Sequence, residues 1–214
     1  MKERRKIFSA ADLAAIKDGR KTMFREMVVP QPPADIDRLH GGKLRSRAPY
    51  VLRDDNDNPC GFGFQDDQGN YWTPPLGTIG DRLWLPEAWA PNTGDVRTGR
   101  AYYKAEGRVI VPRWNPSITM PRWASRITLE ITGVRVERLN DISEEDAKAE
   151  GVESVKYGNE TFWKAYGFNP LPEGGELVAT RDARRSFGCL WQSRHGNWEA
   201  NPWVWAYSIK LIKP

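Results

Sequence analysis

The most regular hydrophobic pattern in the chain lies in residues 126–138. Ile127, Leu129 and Ile131 alternate with polar residues, and this alternation predicts a strand with one buried face. The apolar positions then resume in the opposite phase across Gly133. A change of phase at a glycine is typical of a β-bulge, and bulges allow a sheet to curl until it closes. The pattern therefore favours a small closed barrel over a flat sheet.

Other segments with strand character lie on either side of this one. A first strand is predicted at 22–29, and a shorter one at 101–105. Leu83 and Leu85 alternate with polar or amphipathic neighbours, so they share one face of a further strand. The last segment, 201–212, is apolar on both faces, which predicts a central strand.

Three short helices are predicted between the strands. Ser9 can cap the first by accepting the backbone N–H near Asp12, and Gly19 can end it in the left-handed conformation. A second helix is predicted over Ser143–Gly151, with acidic residues in its first turn. The third is predicted over Thr180–Gly196, where apolar residues recur at helical spacing.

Two segments, at about 30–78 and 154–179, interrupt this regularity with prolines, glycines and polar turns. We expect both to be loop insertions in a single domain over residues 1–214, because this length supports one hydrophobic core. Within the first insertion, a hairpin is predicted between Tyr50–Arg53 and Asn70–Trp72.

The composition permits several partners and excludes few. A formal net charge of +4 permits an anionic ligand, and ten tryptophans are compatible with stacking on nucleobases, although core packing explains most of them. No apolar run could cross a bilayer, and Met1–Lys6 is not followed by the apolar stretch of a signal peptide, so we expect a cytoplasmic protein without membrane contact. No metal or cofactor is expected, because the cysteines and histidines lack the close spacing of zinc ligands: Cys60, Cys189, His40 and His195.

Two charged residues stand out as candidates for chemistry. Lys21 follows Gly19 at the junction of a helix and a strand, where a side chain can be directed into a cleft, although a solvated basic turn is the common alternative. Glu150 lies in the last turn of the second helix, where the helix dipole disfavours a carboxylate. Such an acid is either solvated or retained for a function.

Four stretches of the chain together carry a resemblance to a known family: Asp18–Thr22, Gly80–Trp84, Ile127–Gly151 and Trp203–Ile212. Two shorter segments, Pro121–Arg126 and Asn201–Trp205, are typical of its members in bacteriophages and prophages. The family that these segments resemble is the ASCH domain. ASCH domains are PUA-like, so the resemblance implies an α+β fold built on a small closed β-barrel, with about three peripheral helices and the two loop insertions.

One bacterial branch of this family removes the acyl group from N4-acetylcytidine and similar N4-acylated cytosines. Its motif Gly-Arg-Lys-Thr-x-Thr, with a glutamate after the long strand, places its lysine on Lys21 and its glutamate on Glu150. The second threonine of that motif, the third member of the catalytic set, falls on Phe24. If a hydroxyl is the nucleophile, then Thr22 must replace it or a water must attack directly. The departure is also compatible with binding that involves no hydrolysis.

The resemblance implies a role for each candidate. Lys21, as a neutral amine, would deprotonate Thr22 or a water, and Glu150 would deliver a proton to the departing cytosine. Arg25 or a backbone N–H would stabilise the oxyanion. The remaining candidates for substrate binding are Phe24, Trp84, Glu87 and Trp89.

The main alternative is a non-catalytic PUA-like module of phage origin that binds RNA or a modified nucleoside. A ribonuclease is a weaker alternative, since the two histidines are far apart in the sequence, and a phage regulator that binds a host protein stays open. The oligomeric state is not predicted. The basic residues that motivate RNA binding are Arg20, Lys21, Arg25, Arg45 and Arg47.

Overall fold

The computed structural model describes residues 1–32, 50–53, 59–65, 71–92, 101–107, 110–167 and 179–212. Within these ranges the chain has a mixed α/β fold with several sheets and three α-helices. The helices are α1 (Ala10–Lys17), α2 (Glu144–Ala149) and α3 (Ala183–His195). The strands are β1 (Glu3–Arg5), β2 (Met23–Met27), β3 (Tyr50–Arg53), β4 (Pro59–Gln65), β5 (Tyr71–Trp72), β6 (Arg82–Leu85), β7 (Trp89–Pro91), β8 (Ala101–Tyr103), β9 (Ile127–Arg138), β10 (Ser154–Tyr157), β11 (Glu160–Lys164), β12 (Ala179–Thr180) and β13 (Trp203–Ile212).

A five-stranded sheet in the order β1-β6-β9-β13-β2 forms the centre of the fold. β1 pairs with β6 in parallel, and the other pairs are antiparallel. β13 lies between β9 and β2, so the prediction of a central closing strand is confirmed. Its pairing with β9 shifts register between Ser208 and Ile209, opposite Gly133 and Ile131. The predicted bulge is therefore confirmed as well.

The main hydrophobic core lies against this sheet. Leu83 and Leu85 of β6 are fully buried, as the alternation predicts, and α1 adds Leu13 and Ile16. A second core lies between α2 and α3 and the loop that precedes α2. Its apolar side chains pack α3 against α2 and β13, and they are Leu139, Ile142, Ala147, Val152, Ala183, Phe187, Leu190, Trp191 and Val204.

Closure of the sheet into a barrel is not confirmed. In the described part of the chain, no backbone pairing joins β1 to β2, the two outer strands of the sheet. An ion pair between Lys6, which follows β1, and Glu26 of β2 spans this side of the sheet. The barrel that the bulge favours therefore stays a prediction.

The predicted ends of α1 are confirmed, whereas the predicted start of α3 is not. Ser9 accepts the backbone N–H of Asp12 at 3.1 Å, and Gly19 has a φ of +74°, as predicted. The predicted start of α3 at Thr180 was wrong, because β12 includes this residue and pairs with β11. Asp182 caps the helix instead by accepting the backbone N–H groups of the first turn.

The two segments predicted as loop insertions contain strands. β3, β4 and β5 form one small sheet, and β10, β11 and β12 form another. The predicted hairpin was wrong in its pairing: β3 pairs with β4, and β5 pairs with the other edge of β4. Glycines at 61 and 63 are typical of a loop, whereas the backbone of β4 pairs with β3 on one side and with β5 on the other.

Candidate functional site

A cavity of about 340 Å³ opens between α1, β2, the end of α2 and the last turns of α3. One part of its wall is charged and the other part is largely aromatic. The lining residues are Lys6, Ile7, Phe8, Ser9, Asp12, Lys21, Phe24, Arg25, Glu26, Glu150, Phe187, Leu190, Trp191, Arg194 and His195.

Lys21 and Glu150 form a buried ion pair in this wall. Nζ of Lys21 donates to Oε2 of Glu150 at 2.9 Å and to the backbone carbonyl of the same residue at 2.8 Å. Both residues are only 4% exposed. Burial weakens solvent screening, so a pair in this place interacts more strongly than one at the surface.

Backbone contacts hold the segments that carry Lys21 and Glu150 next to each other. The backbone N–H of Thr22 donates to the carbonyl of Ala149 at 2.8 Å, which ties the start of β2 to the end of α2. Gly151 follows with a φ of +84°, and a Cβ there would lie 2.8 Å from Cβ of Lys21. Only glycine fits this approach without strain, so Gly151 determines how closely the two segments meet.

Arg25 lies behind Glu150 and holds it from the other side. Its side chain is fully buried, and it donates to Oε1 of Glu150 at 2.8 Å and to Glu137 at 3.0 Å. A third carboxylate, that of Asp146, lies 3.2 Å away. Burial alone would lower the pKa of Arg25, but Glu150 and Glu137 outweigh it and raise the pKa. Arg25 is therefore a fixed cation whose donors are already engaged.

Asp12 is a second acid beside Lys21. Its Oδ1 lies 3.6 Å from Nζ of Lys21, and its Oδ2 accepts the hydroxyl of Ser9 at 2.7 Å and the guanidinium of Arg194 at 3.1 Å. Burial raises the pKa of Asp12, but the charge of Lys21, the Ser9 hydroxyl and Arg194 together lower it below the ordinary value. Lys21 is thus placed between two carboxylates.

The rest of the cavity wall is aromatic. Phe24 stacks on Tyr207 with ring centroids 4.9 Å apart and meets the edge of Phe8 at 5.2 Å. On the α3 side, the ring of Trp191 lies 4.2 Å from that of His195. Burial lowers the pKa of His195, which favours a neutral imidazole. The cavity therefore combines aromatic side chains from β2 and α3 with the charged groups.

The structure brings together four of the residues predicted for the site. Lys21, Glu150, Phe24 and Arg25 all line the cavity. Thr22 is exposed and does not line it.

Three candidates for substrate binding lie elsewhere. Trp84 is on the outer face of β6, where the guanidinium groups of Arg5 and Arg122 each lie 5.9 Å from its ring. Glu87 is paired with Lys17 at 2.6 Å and Arg126 at 2.9 Å. Trp89 meets the ring of Trp123 edge to face. None of the three lines the cavity that contains Lys21.

Sequence reasoning missed Asp12, Arg194 and His195 as members of the site. Asp12 was interpreted only as a capping partner, and α3 was considered only for its apolar face. Basic residues are common in the last turn of a helix, so their presence there does not by itself indicate a functional site. The contact between Arg194 and Asp12 joins residues 182 positions apart, and no sequence pattern predicts it.

Two further features of the described residues concern metal ions and membranes. Within the described ranges, no group of three or more histidine, cysteine, aspartate and glutamate residues could hold a metal ion. No helix in the described part of the chain has the length and apolar character needed to cross a membrane.

Comparison with known proteins adds one structural neighbour. No protein-family model matches the chain, and no curated protein matches it. Among solved structures, the chain is similar to a crystal structure of an ASCH domain from Lactobacillus crispatus JV V101. The alignment covers 98% of this chain and 79% of that chain, with 12% sequence identity and a TM-score of 0.36.

Proposed function

We propose that the protein is an amidohydrolase that removes the acyl group from N4-acylated cytidine or cytosine-type nucleosides. The observation that carries the proposal is the buried Lys21–Glu150 pair, 2.9 Å apart in the wall of a partly aromatic cavity. Buried ion pairs are costly to form, so one that faces a cavity is a candidate for proton transfer. The resemblance of both residues to the ASCH amidohydrolase motif supports the same activity.

The shape and chemistry of the cavity suit this substrate class. Its volume of about 340 Å³ lies at the lower end of the range typical of small-molecule sites. Phe24 and Trp191 offer apolar surfaces to a base, while Lys21 and Glu150 lie where an acylated exocyclic amine could be directed. The acyl group is small in the proposed substrates, as the limited space requires.

A water molecule is the proposed nucleophile. Phe24 occupies the position of the family threonine and has no hydroxyl, and Thr22 is exposed outside the cavity. Ser9 lines the cavity, but its hydroxyl is held as the cap of α1, where it donates to Asp12 and accepts the backbone N–H of the same residue. We therefore assign the attack on the acyl carbon to water and not to a side-chain hydroxyl.

The charged groups have different roles in the proposed reaction. The Lys21 ammonium stabilises the negative charge that develops on the acyl oxygen and supplies the proton that the departing amine needs. Glu150 holds Lys21 through two contacts. Arg25 acts through Glu150, since its own donors are engaged by carboxylates. This differs from the direct oxyanion contact that the sequence suggested for Arg25.

The proposal also includes the architecture of the domain around the site. We infer one ASCH-type domain of phage type over residues 1–214, with a barrel that closes beside β1 and β2. The continuous central sheet, the bulge opposite Gly133 and the Lys6–Glu26 pair between the outer strands support this inference. The two insertions add small sheets to that domain.

An absorbance assay with N4-acetylcytidine tests the proposed activity. Wild-type protein should release cytidine, and Lys21→Ala should lose turnover. Lys17→Ala is a matched control, because Lys17 is the last residue of α1, four positions before Lys21, and it lies outside the cavity, where it pairs with Glu87. Turnover in Lys21→Ala equal to that of wild type would exclude this mechanism, and no turnover in any protein would exclude the activity.

The second candidate function is a binding module for RNA or a modified nucleoside. The absence of a hydroxyl at Phe24 favours it, because the same cavity could hold a base without hydrolysing it. Arg45 and Arg47, which contributed to this alternative, lie outside the described residues. RNA affinity that falls steeply as salt rises would support the module, and no RNA binding at low salt would exclude its RNA-binding form.

A further inference from the structure

We propose that Asp12 holds and activates the water that attacks the acyl group, and that it thereby supplies the function lost with Phe24. The inference rests on the proposed amidohydrolase activity and names a further catalytic residue for it. Asp12 is 8% exposed and lines the cavity from α1, beside Lys21.

The contacts of the Lys21 ammonium leave room for a water. Two of its protons have acceptors in Glu150, at 2.8 and 2.9 Å. Oδ1 of Asp12 lies 3.6 Å from Nζ, beyond the length of a direct hydrogen bond. No other acceptor among the described residues is within hydrogen-bond distance of Nζ. A water in the cavity can therefore accept the third proton of Lys21 and donate to Asp12.

Asp12 is held rigidly for this task. Its Oδ2 accepts from the Ser9 hydroxyl at 2.7 Å and from Arg194 at 3.1 Å, and Arg194 also reaches Oδ1 at 3.3 Å. These partners and Lys21 lower the pKa of Asp12 although burial raises it, so the group is a carboxylate at neutral pH. A carboxylate is the form that can take a proton from water.

Asp12 also explains how the site can act without the hydroxyl of the family threonine that Phe24 replaces. Phe24 lines the cavity on β2, and Asp12 lines it on α1, so both face the space in which an acyl group would lie. A bound water at Asp12 places an attacking oxygen beside Lys21, while Phe24 provides an apolar surface for the base.

The proposed step is balanced in protons and electrons. Asp12 takes one proton from the water as the water oxygen bonds to the acyl carbon, and the carbonyl π electrons move to the acyl oxygen beside Lys21. The electron pair on the acyl oxygen then re-forms the C=O double bond as the C–N bond breaks, and the C–N electron pair stays on the exocyclic nitrogen, which takes a proton from Lys21. Asp12 then returns its proton to Lys21, and the products are a carboxylic acid and the free amine.

The Asp12→Asn variant tests this role, because asparagine keeps the size of the side chain and an oxygen that can accept from Ser9. Its kcat for N4-acetylcytidine should fall by roughly 100-fold or more, as expected for loss of a general base. KM and cytidine binding by titration calorimetry should stay close to wild type. Asp182→Asn, which changes a capping aspartate of α3 outside the cavity, is the control and should retain turnover.

Chemical rescue separates catalysis from a structural role. Formate is small enough to enter the space left in Asp12→Ala, and it should restore part of kcat there without accelerating wild type. Absence of rescue, or loss of cytidine binding in Asp12→Asn, would overturn the inference. Wild-type turnover in Asp12→Asn would overturn it while leaving the amidohydrolase proposal intact, whereas an inactive wild type would overturn both.

Discussion

Nζ of Lys21 lies 2.9 Å from Oε2 of Glu150, although 129 positions separate the two residues in the sequence. The contact is set mainly by the backbone, because the N–H of Thr22 donates to the carbonyl of Ala149 beside it. The ion pair is therefore positioned by the junction of β2 with α2, and a change in that junction should affect chemistry as well as stability.

Gly151→Ala should disturb this junction more than the same change at another left-handed glycine. The new Cβ would lie 2.8 Å from Cβ of Lys21, in addition to the strain of a φ of +84°. Gly158→Ala is the matched control, since Gly158 has a φ of +60° and open space around it. Backbone strain should cost each variant about 1 kcal/mol, and urea unfolding should show a larger loss for Gly151→Ala, accompanied by loss of turnover. Equal losses in the two variants would contradict the steric argument.

Arg25→Ala should be among the most destabilising single changes near the site. It would remove the buried cation that Glu137 and Glu150 share, and among the described residues only Arg135 would stay paired with Glu137 and only Lys21 with Glu150. Breaking a buried pair costs about 3–5 kcal/mol. Arg20→Ala, at an exposed arginine of the same segment, should change the free energy of unfolding by less than about 0.5 kcal/mol. Urea unfolding of the two variants checks the difference, and similar small effects would show that solvent reaches the charges.

Much of the framework could be predicted from local sequence patterns. The bulge at Gly133, the cap at Ser9 and the central strand 201–212 each depend on residues close together in the chain. The capping aspartate at 182 also follows a local rule, but the neighbouring Thr180 offered an equally good cap, and only the pairing of β12 with β11 decides between them.

The site could be predicted only in part, because its charges come from distant segments. The unusual positions of Lys21 and Glu150 drew attention to both, yet the cations and acids around them depend on how the helices pack. Glu137 alternates along β9 like any polar residue, and Arg194 lies at a helix end. Trp84 and Trp89, which were predicted to stack on a base, contact other surface groups, whereas the aromatic residues that line the cavity include Phe24 and Trp191.

Direct attack by water predicts that no acyl-enzyme forms. Protein quenched with acid during turnover of N4-acetylcytidine should keep its unmodified mass by intact-protein mass spectrometry. Phe24 offers no hydroxyl, Thr22 lies outside the cavity, and the Ser9 hydroxyl is held by Asp12. Rapid-quench kinetics should likewise show no burst of cytidine. An acetyl adduct on Thr22 would contradict direct attack and would require the start of β2 to shift during catalysis.

The pKa of Asp12 predicts how stability depends on pH. Lys21, Ser9 and Arg194 lower this pKa in the folded protein, whereas the unfolded chain has an ordinary value of about 3.9. The unfolded state therefore binds the proton first as pH falls, so the stabilisation from Asp12 is complete above about pH 5 and is lost as pH falls through the folded-state pKa. The difference in unfolding free energy between wild type and Asp12→Asn should be constant from about pH 7 to pH 5 and should shrink below about pH 4. Other acids titrate in both proteins and cancel from the comparison. Urea unfolding across this range measures the difference, and a constant value down to about pH 3 would mean that Asp12 gains no net interaction as an anion in the folded state.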